Sequence, residues 1–309
     1  MDVIERNKLR MNVLAASNPW LAKQVDALDW NELEVALEEC IFNKDETGLP
    51  ENYGPASYFP LNPETPEQEI LYAQAFEHGE SLIRTGKTSA FTVAGGQGTR
   101  LGYDGPKGTL GVSPIKGKPL FQLFAEQLLG ISEKYGVVIP WYVMCSPLNL
   151  EATLAHFEEQ EFYGLGQDNL KFFAQGVMPA TDFEGNLLLA SHDSLALSPN
   201  GHGGSLKALI DSGSVADMAE RGIEHVSYFQ VDNPLVSVIN PLLIGLHDLQ
   251  RSDMSSRSLT KTGPFEKLGN FVSIGDRVTI IEYSDLPEGK ALEKDAEGRI
   301  KYRAGSPAI

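Results

Sequence analysis

The feature that most constrains the fold is a short apolar run that leads straight into a cluster of glycines. Residues 90–94 (AFTVA) are followed by Gly95-Gly96-Gln97-Gly98-Thr99-Arg100-Leu101-Gly102 and then by Pro106-Lys107-Gly108. Such a run indicates a buried parallel strand, and the glycines indicate a loop at its carboxyl end. Because no Cβ obstructs them, backbone N–H groups can converge in such a loop and form a concave site for phosphate oxygens.

Strand and helix patterns alternate along the chain after this loop. Strands are indicated at residues 141–145, 171–174 and 225–231, and helices at 119–136, 148–161 and 204–221, with Pro119 at a first helical position. This alternation is typical of an α/β fold with a doubly wound, mostly parallel sheet and helices on both faces. Ligands of such sheets bind beyond the carboxyl ends of the strands, where the glycines lie.

The sequence on either side of this pattern has a different character. Residues 1–85 are predicted to form a helical N-terminal region, with a Pro- and Gly-containing connection at 44–66 and a further helix at 67–85. Residues 86–309 form the predicted α/β core, which carries the glycine loop. Its last segment, 263–309, indicates strands at 271–274 and 278–283 and no closing element at its end. We therefore expect the core to be incomplete at its C-terminal end.

Composition and charge exclude several classes of protein. The net charge of −17 argues against a nucleic-acid-binding surface, which needs a concentrated basic face, but not against an anionic small ligand. The start of the chain shows no signal-peptide core, and no segment approaches a membrane span. The two cysteines, Cys40 and Cys145, are too few for a disulfide framework. We expect a cytoplasmic protein with free thiols and no membrane partner, and its oligomeric state stays open.

The spacing of the glycine loop excludes the two commonest phosphate-binding motifs. The Walker pattern fails because Pro106 precedes Lys107. The dinucleotide fingerprint fails because Leu101 occupies the position of its third glycine. Arg100 and Lys107 place positive charge beside the glycines, and a guanidinium fork suits a phosphate. A purely structural turn between a strand and a helix is the alternative.

The loop resembles the signature of sugar-nucleotide pyrophosphorylases, G-G-x-G-T-R-L-G followed by P-K. With Gln97 and Pro106-Lys107-Gly108, it is most similar to the eukaryotic-type UDP-N-acetylhexosamine pyrophosphorylases. The resemblance covers roughly residues 60–309, through segments that recur in the family order: Trp141-Tyr142-Val143-Met144, Ser146-Pro147, Phe172-Phe173-x-Gln175-Gly176 with Pro179, Gly201-x-Gly203-Gly204, Val231-Asp232-Asn233 and Glu282-Tyr283-Ser284. One residue departs from the family, since His202 stands where Asn is usual.

The resemblance implies a role for each group of residues. Arg100 and Lys107 would be catalytic cations, and Asp232 would hold Mg²⁺, a hard cation that prefers oxygen ligands. Asn233 and Glu282 would contact the sugar. The nucleotide would be bound by Gly95, Gly96, Gln97, Gly98 and Thr99 together with Asp232, and its uracil read by Gln175, Gly203 and Gly204.

Each of these segments also has a structural alternative. Asp232 can cap the turn at Asn233-Pro234, and the pairs Gln175-Gly176 and Gly203-Gly204 can be simple turns. Glu282 can belong to a solvated strand face.

Other polar residues give weaker indications. Lys261, Pro264, Glu266 and Lys267 match a family K-x-x-P-x-E-K pattern of uncertain role, and Lys267 can be a surface charge. The histidines show no ligand spacing, so a zinc site is not expected. Cys145 ends a predicted buried strand and is expected in the core rather than as a nucleophile.

The reaction implied by the resemblance joins UTP to an N-acetylhexosamine 1-phosphate and releases pyrophosphate, without a protein nucleophile. Two alternatives stay open. The chain can belong to a UTP–glucose-1-phosphate or broad UDP-sugar pyrophosphorylase, or it can be a non-catalytic nucleotide-binding fragment, which the expected early end of the core supports.

Overall fold

The computed structural model describes residues 2–42, 49, 52–199 and 203–307. Part of the predicted connection at 44–66, the motif residues Gly201 and His202, and the last two residues lie outside these ranges. The described part of residues 2–55 is mostly helical. It comprises α1 (Val3–Ala15), α2 (Pro19–Asp26), α3 (Trp30–Leu37), a π-helical turn (Glu38–Phe42) and the short strand β1 (Gly54–Pro55).

Residues 66–249 alternate between helices and strands, and most of the predicted elements are present. In chain order they are α4 (Pro66–Arg84), β2 (Thr88–Val93), α5 (Leu120–Tyr135), β3 (Trp141–Cys145), α6 (Leu150–Glu159), β4 (Leu170–Ala174), four short strands β5 (Val177–Pro179), β6 (Leu189–Ser191), β7 (Ser194–Leu195) and β8 (Leu197–Pro199), then α7 (Gly204–Asp211), α8 (Ser214–Glu220), β9 (His225–Gln230) and α9 (Pro241–Leu249).

Four of these strands form a parallel sheet in the order β4–β3–β2–β9. The chain moves outward from β2 through β3 to β4, and β9 then joins the opposite side of β2. The glycine loop follows β2 and Asp232 follows β9, so both lie at the carboxyl ends of neighbouring parallel strands.

Side chains alternate between the two faces of this sheet, and helices cover both faces. One face carries Ala90, Trp141, Val143 and Phe229, which pack against residues of α4, α5, α6 and α9. The other face carries Phe91, Tyr142, Met144 and Phe173, which pack against residues of α7 and α8. Successive side chains of a strand point to opposite faces, and helices cover both faces here. For this reason β2 and β3 are buried along their whole length.

Several predicted boundaries were wrong in detail. The helix expected at 204–221 is two helices, because Gly213 adopts a left-handed conformation with φ of 69° between α7 and α8. Pro119 is the N-cap of α5 in an extended conformation, not its first helical residue. The helix expected from residue 148 begins at Leu150, after the backbone turn in which Asn149 N donates to Ser146 O.

A second, mainly antiparallel sheet contains the C-terminal strands β10 (Leu259–Thr260), β11 (Gly269–Ile274), β12 (Arg277–Ile281) and β13 (Ala304–Ser306), beside the short helix α10 (Glu288–Ala291). The predicted hairpin is present as β11 and β12. Two features were not predicted: β1 pairs with β11 across more than 200 residues of sequence, and β13 lies between β10 and β11. Of the helices in the described ranges, none combines the length and apolar character of a membrane span.

Candidate active site

The glycine loop after β2 folds back on itself. Gly98 N donates to Gly105 O over 2.9 Å, and Lys107 N donates to Gly96 O over 3.1 Å. Two single turns of 3-10 helix, Thr99–Leu101 and Lys107–Thr109, lie within and after the loop. This closure returns Lys107 to the start of the loop, although it lies eleven positions after Gly96 in the sequence.

Lys107 joins the glycine loop to the end of β9. Its side chain lies so close to Gly96 that a Cβ there would be 3.3 Å from Lys107 Cδ. Its Nζ donates to Asp232 Oδ2 over 2.8 Å. The lysine side chain is 25% exposed and the aspartate 47% exposed, so the pair stands at the surface of the site. The structure therefore brings together a cation and a carboxylate that are 125 residues apart in sequence.

Gln175 lies against the first glycine of the loop. It follows β4 directly, is 7% exposed, and its backbone N donates to Cys145 O over 2.7 Å. A Cβ at Gly95 would lie 2.9 Å from Gln175 Oε1. Any side chain at position 95 would thus displace the Gln175 amide. The close approach of this amide explains why a glycine occupies the position.

Asn149 holds the loop through side-chain hydrogen bonds, although the sequence did not mark it as a site residue. The side chain is fully buried. Its Nδ2 donates to Ala94 O over 3.0 Å and to Gly96 O over 3.4 Å, while its Oδ1 accepts from Ser146 N over 2.8 Å. Because it fixes two loop carbonyls, Asn149 restricts the orientation of the intervening peptides. In the sequence, an Asn shortly after a predicted strand indicates only a turn, so its contacts with the loop could not be predicted.

The other predicted nucleotide-binding residues lie in several different settings. Thr99 and Arg100 are exposed on the 3-10 turn, and within the described ranges the guanidinium of Arg100 makes no hydrogen bond or ion pair. Gln97 forms an isolated antiparallel bridge with Pro106. Gly203 and Gly204 stand at the N-terminus of α7.

The two predicted sugar-binding residues are both exposed. Asn233 follows Asp232 in a turn, where its N donates to Gln230 O over 3.3 Å. Glu282 was expected inside a strand, but β12 ends one residue earlier, because Glu282 O accepts from Asp285 N and Leu286 N in a turn. A Cβ at Gly269 would lie 3.6 Å from Glu282 Oε1.

Three other residues singled out in the sequence are described by their burial or exposure in the fold. Lys261 is 5% exposed, and its Nζ donates to Asn270 Oδ1 over 2.7 Å; burial lowers the pKa of this amine, partly opposed by Glu266. Lys267 is exposed, as a surface charge would be. Cys145 is fully buried, and burial raises the pKa of its thiol to about 12, so the thiol is protonated and inaccessible.

A histidine cluster that the spacing did not indicate lies at the opposite end of β9. His78 Nε2 and Asp248 Oδ2 are 2.6 Å apart, and His225 Nε2 lies 3.3 Å from Asp248 Oδ1. The rings of His225 and His247 meet edge to face at 5.5 Å. No set of metal-ligating side chains suited to an ion is present in the described part of the chain, and this cluster is no exception.

Comparisons with known proteins agree on one group of relatives. UDP-N-acetylglucosamine pyrophosphorylase of Saccharomyces cerevisiae is 34% identical over 232 residues, which are 74% of this chain and 49% of the relative. UDP-N-acetylhexosamine pyrophosphorylase-like protein 1 of Mus musculus is 35% identical over 236 residues, 74% of this chain and 46% of the relative. The chain thus spans about half the length of the curated relatives it matches.

A solved structure shares the fold. The uridine diphosphate N-acetylglucosamine pyrophosphorylase of Trypanosoma brucei, crystallised with an inhibitor, superposes with a TM-score of 0.81 at 22% identity, over 98% of this chain and 61% of that one. The sequence profile of the UTP–glucose-1-phosphate uridylyltransferase family matches residues 60–303. This chain is a member of the UTP–glucose-1-phosphate uridylyltransferase family.

Proposed function

We propose that this chain carries the nucleotide-binding part of a uridylyltransferase that makes UDP-N-acetylhexosamine and pyrophosphate from UTP and N-acetylhexosamine 1-phosphate. The observation that carries the proposal is the contact of Lys107 with both Gly96 and Asp232. It places a cation, a carboxylate and a glycine loop beyond the ends of β2 and β9.

We infer further that the parallel sheet is the doubly wound sheet of nucleotide-diphospho-sugar transferases. The strand order β4–β3–β2–β9 reverses direction at β2. Ligands of doubly wound sheets bind at such a switch point, outside the carboxyl ends of the strands. The glycine loop and Asp232 flank that point.

The reaction needs positioning and charge stabilisation rather than a protein nucleophile. A phosphate oxygen of the sugar 1-phosphate forms a new bond to the α-phosphorus of UTP. The bond from that phosphorus to the bridging β-phosphate oxygen breaks in line, and pyrophosphate leaves with the electron pair. Lys107 stabilises the charge that develops around the α-phosphate, and Arg100 the leaving pyrophosphate. The backbone N–H groups of Gly95 and Gly96 cradle the phosphates, beside Gln97 and Thr99. Gly98 contributes by closing the loop, because its own N–H donates to Gly105 O.

The ion pair between Lys107 and Asp232 can be replaced by contacts with a ligand at a small cost in folding free energy. Both side chains are partly exposed, and a surface ion pair contributes only about 0–1 kcal/mol of stability. The lysine can therefore turn to a phosphate, and the carboxylate to a cation, without a large loss of folding free energy.

We propose that Mg²⁺ enters as part of the substrate, as Mg–UTP. Mg²⁺ is commonly held by one or two carboxylates together with substrate phosphates and water. Asp232 fits that pattern, because it is a half-exposed carboxylate next to the phosphate loop, and the described ranges hold no group of three or more His, Cys, Asp or Glu side chains that could bind an ion without the substrate. The ion would neutralise phosphate charge there.

We assign base reading to Gln175 with Gly203 and Gly204, and sugar contact to Asn233 and Glu282. An amide can pair with both a donor and an acceptor on the uracil edge, and the Gln175 amide is already held against Gly95. Asn233 and Glu282 are exposed and so accessible to a sugar.

The amino-sugar substrate is favoured because the two curated relatives described above are named for N-acetylglucosamine or N-acetylhexosamine. Glucose 1-phosphate is the second candidate, because the family profile is named for that substrate.

A UTP-dependent pyrophosphate-release assay with Mg²⁺ tests the proposal. It compares N-acetylglucosamine 1-phosphate with glucose 1-phosphate, on this chain and on any longer form that the gene encodes. Release with the amino sugar supports the proposal, and release with glucose alone moves the chain to the second candidate. UTP binding without turnover in both forms would identify a non-catalytic nucleotide-binding protein.

A further inference from the structure

The segment between the two proposed base-reading sites forms an antiparallel arm, residues 177–199. At its base, β5 pairs with β8, with Val177 opposite Pro199. Farther out, Ala180 N donates to Ala196 O over 2.7 Å, and β6 pairs with β7. Gln175 precedes the base by two residues and Gly203 follows it by four. The arm therefore lies in the chain between the two segments assigned to the uracil.

Side chains of helices α1 and α2 form hydrogen bonds with the outer half of this arm. Asn7 is fully buried, and its amide both donates to Gly185 O over 2.8 Å and accepts from Leu187 N over 2.9 Å. Arg10 donates to Leu187 O over 2.8 Å. In α2, Gln24 Oε1 accepts from Leu195 N over 2.9 Å.

Apolar packing joins the same parts. Leu187 and Leu195 of the arm are almost fully buried, in one cluster with Ile4, Met11, Leu21, Val25, Leu33 and Leu37 of the N-terminal helices. Within the described ranges, every side-chain hydrogen bond from α1 or α2 to a residue outside the N-terminal helices goes to residues 184–195. The arm is thus the main polar connection of α1 and α2 to the rest of the chain.

We propose that α1 and α2 are a positioning device for uracil recognition, acting through the arm, with Asn7 and Gln24 as its positioning residues. The inference rests on the proposed function. The helices fix the outer half of the arm, the arm fixes the spacing between Gln175 and Gly203, and these residues contact the base. The phosphate loop is held independently by Asn149, so loosening the arm weakens base recognition and spares phosphate binding.

The test compares two ligands by isothermal titration calorimetry on this chain: UTP, and inorganic tripolyphosphate, which has no base. We expect Asn7→Ala to raise the Kd for UTP about five- to tenfold, the lower range of typical site-to-site coupling, and to leave the Kd for tripolyphosphate unchanged. Asn12→Ala is the matched control: Asn12 is an exposed residue of the same helix, and in the described ranges its side chain makes no hydrogen bond. It should change neither Kd.

If Asn7→Ala does not fold, Gln24→Ala provides a second variant at a half-buried position. It should show the same selective loss of affinity for UTP. An unchanged Kd for UTP in the folded variants would overturn the inference. Equal weakening of both ligands would also overturn it, because that result indicates only general destabilisation. A wild-type chain that binds neither ligand would instead refute the proposed function, and this inference with it.

Discussion

Among single residues, Lys107 carries the most direct prediction for catalysis. Replacing it by Ala should lower kcat/KM for pyrophosphate release by about 10²–10³, the usual loss when one group that stabilises transition-state charge is removed. Lys118 is the matched control, since its side chain is also 25% exposed and pairs with a carboxylate, Glu126, of similar exposure. Lys118→Ala should keep wild-type kinetics. Wild-type turnover in Lys107→Ala would remove the lysine from the mechanism.

Asn149 provides a second residue-scale prediction, because it holds the glycine loop through donated hydrogen bonds. Asn149→Asp keeps the acceptor for Ser146 N but turns a carboxylate oxygen toward Ala94 O and Gly96 O. Leaving those carbonyls without a donor costs about 1–3 kcal/mol. We expect UTP affinity, measured by calorimetry, to fall about tenfold for each 1.4 kcal/mol of that loss that reaches the loop.

The control for this change is Asn240→Asp at the start of α9. There the side chain accepts from Leu243 N over 2.9 Å and donates to no group in the described ranges, so an Asp keeps that bond. Its affinity for UTP should match the wild type. Equal affinities in all three proteins would show that the loop does not need Asn149.

The candidate site was only partly predictable from single residues. Gly96, Lys107 and Asp232 follow strands or belong to one motif, so the topology of a parallel sheet was enough to bring them together. Asn149 and the Asn7 contact could not be predicted, because an Asn side chain signals a local turn or cap while its partners here lie 55 and 180 residues away. Sequence spacing carries no information about such partners.

At the scale of elements, α4 and α9 cross at unusually close range. A Cβ at Gly245 would lie 1.7 Å from Ala75 O, and one at Gly79 would lie 1.9 Å from Pro241 O. Gly245→Ala must therefore push two backbones apart, and we expect a loss of at least about 1–3 kcal/mol in the free energy of unfolding, as overpacking usually costs. Urea denaturation measures it.

Gly130 in α5 offers the opposite case. No atom lies within 4 Å of a Cβ built there, and the residue is exposed in the body of the helix. Gly130→Ala should stabilise the chain by about 0.5–1 kcal/mol, because Ala loses less conformational freedom on folding. If Gly245→Ala and Gly130→Ala had the same free energy of unfolding, the close crossing of α4 and α9 would not be an energetic constraint.

Elements differed in how well the sequence predicted them. The strand β3 was predicted at its observed bounds because all of its residues are buried, so an unbroken apolar run marks it. The strand β13 was missed because Ala304, Gly305 and Ser306 have little strand propensity, and the strand forms only between β10 and β11. The break between α7 and α8 depends on one glycine φ angle, which composition does not reveal.

For the whole molecule, the histidine cluster links stability to pH. His225 opens β9 and is buried between α4 and α9, facing His78, His247, Asp248 and the adjacent Glu224. Its two ring nitrogens are buried and make no hydrogen bond within the described ranges. Burial lowers the pKa of this imidazole, and the Asp248 carboxylate only partly opposes the effect. The folded state therefore favours the neutral ring more than the unfolded state does.

Stability from His225 is present above its ordinary pKa of about 6.5 and is lost as the pH falls below it, because the unfolded chain then binds the proton more readily. His225→Phe keeps a ring that cannot titrate. Between pH 7.5 and pH 5.5, the Tm of the wild type should fall several degrees further than that of His225→Phe, since one proton changes stability by at most about 1.4 kcal/mol per pH unit. His192→Phe changes an exposed ring and should track the wild type. Parallel Tm curves for all three proteins would locate the acid sensitivity elsewhere in the fold.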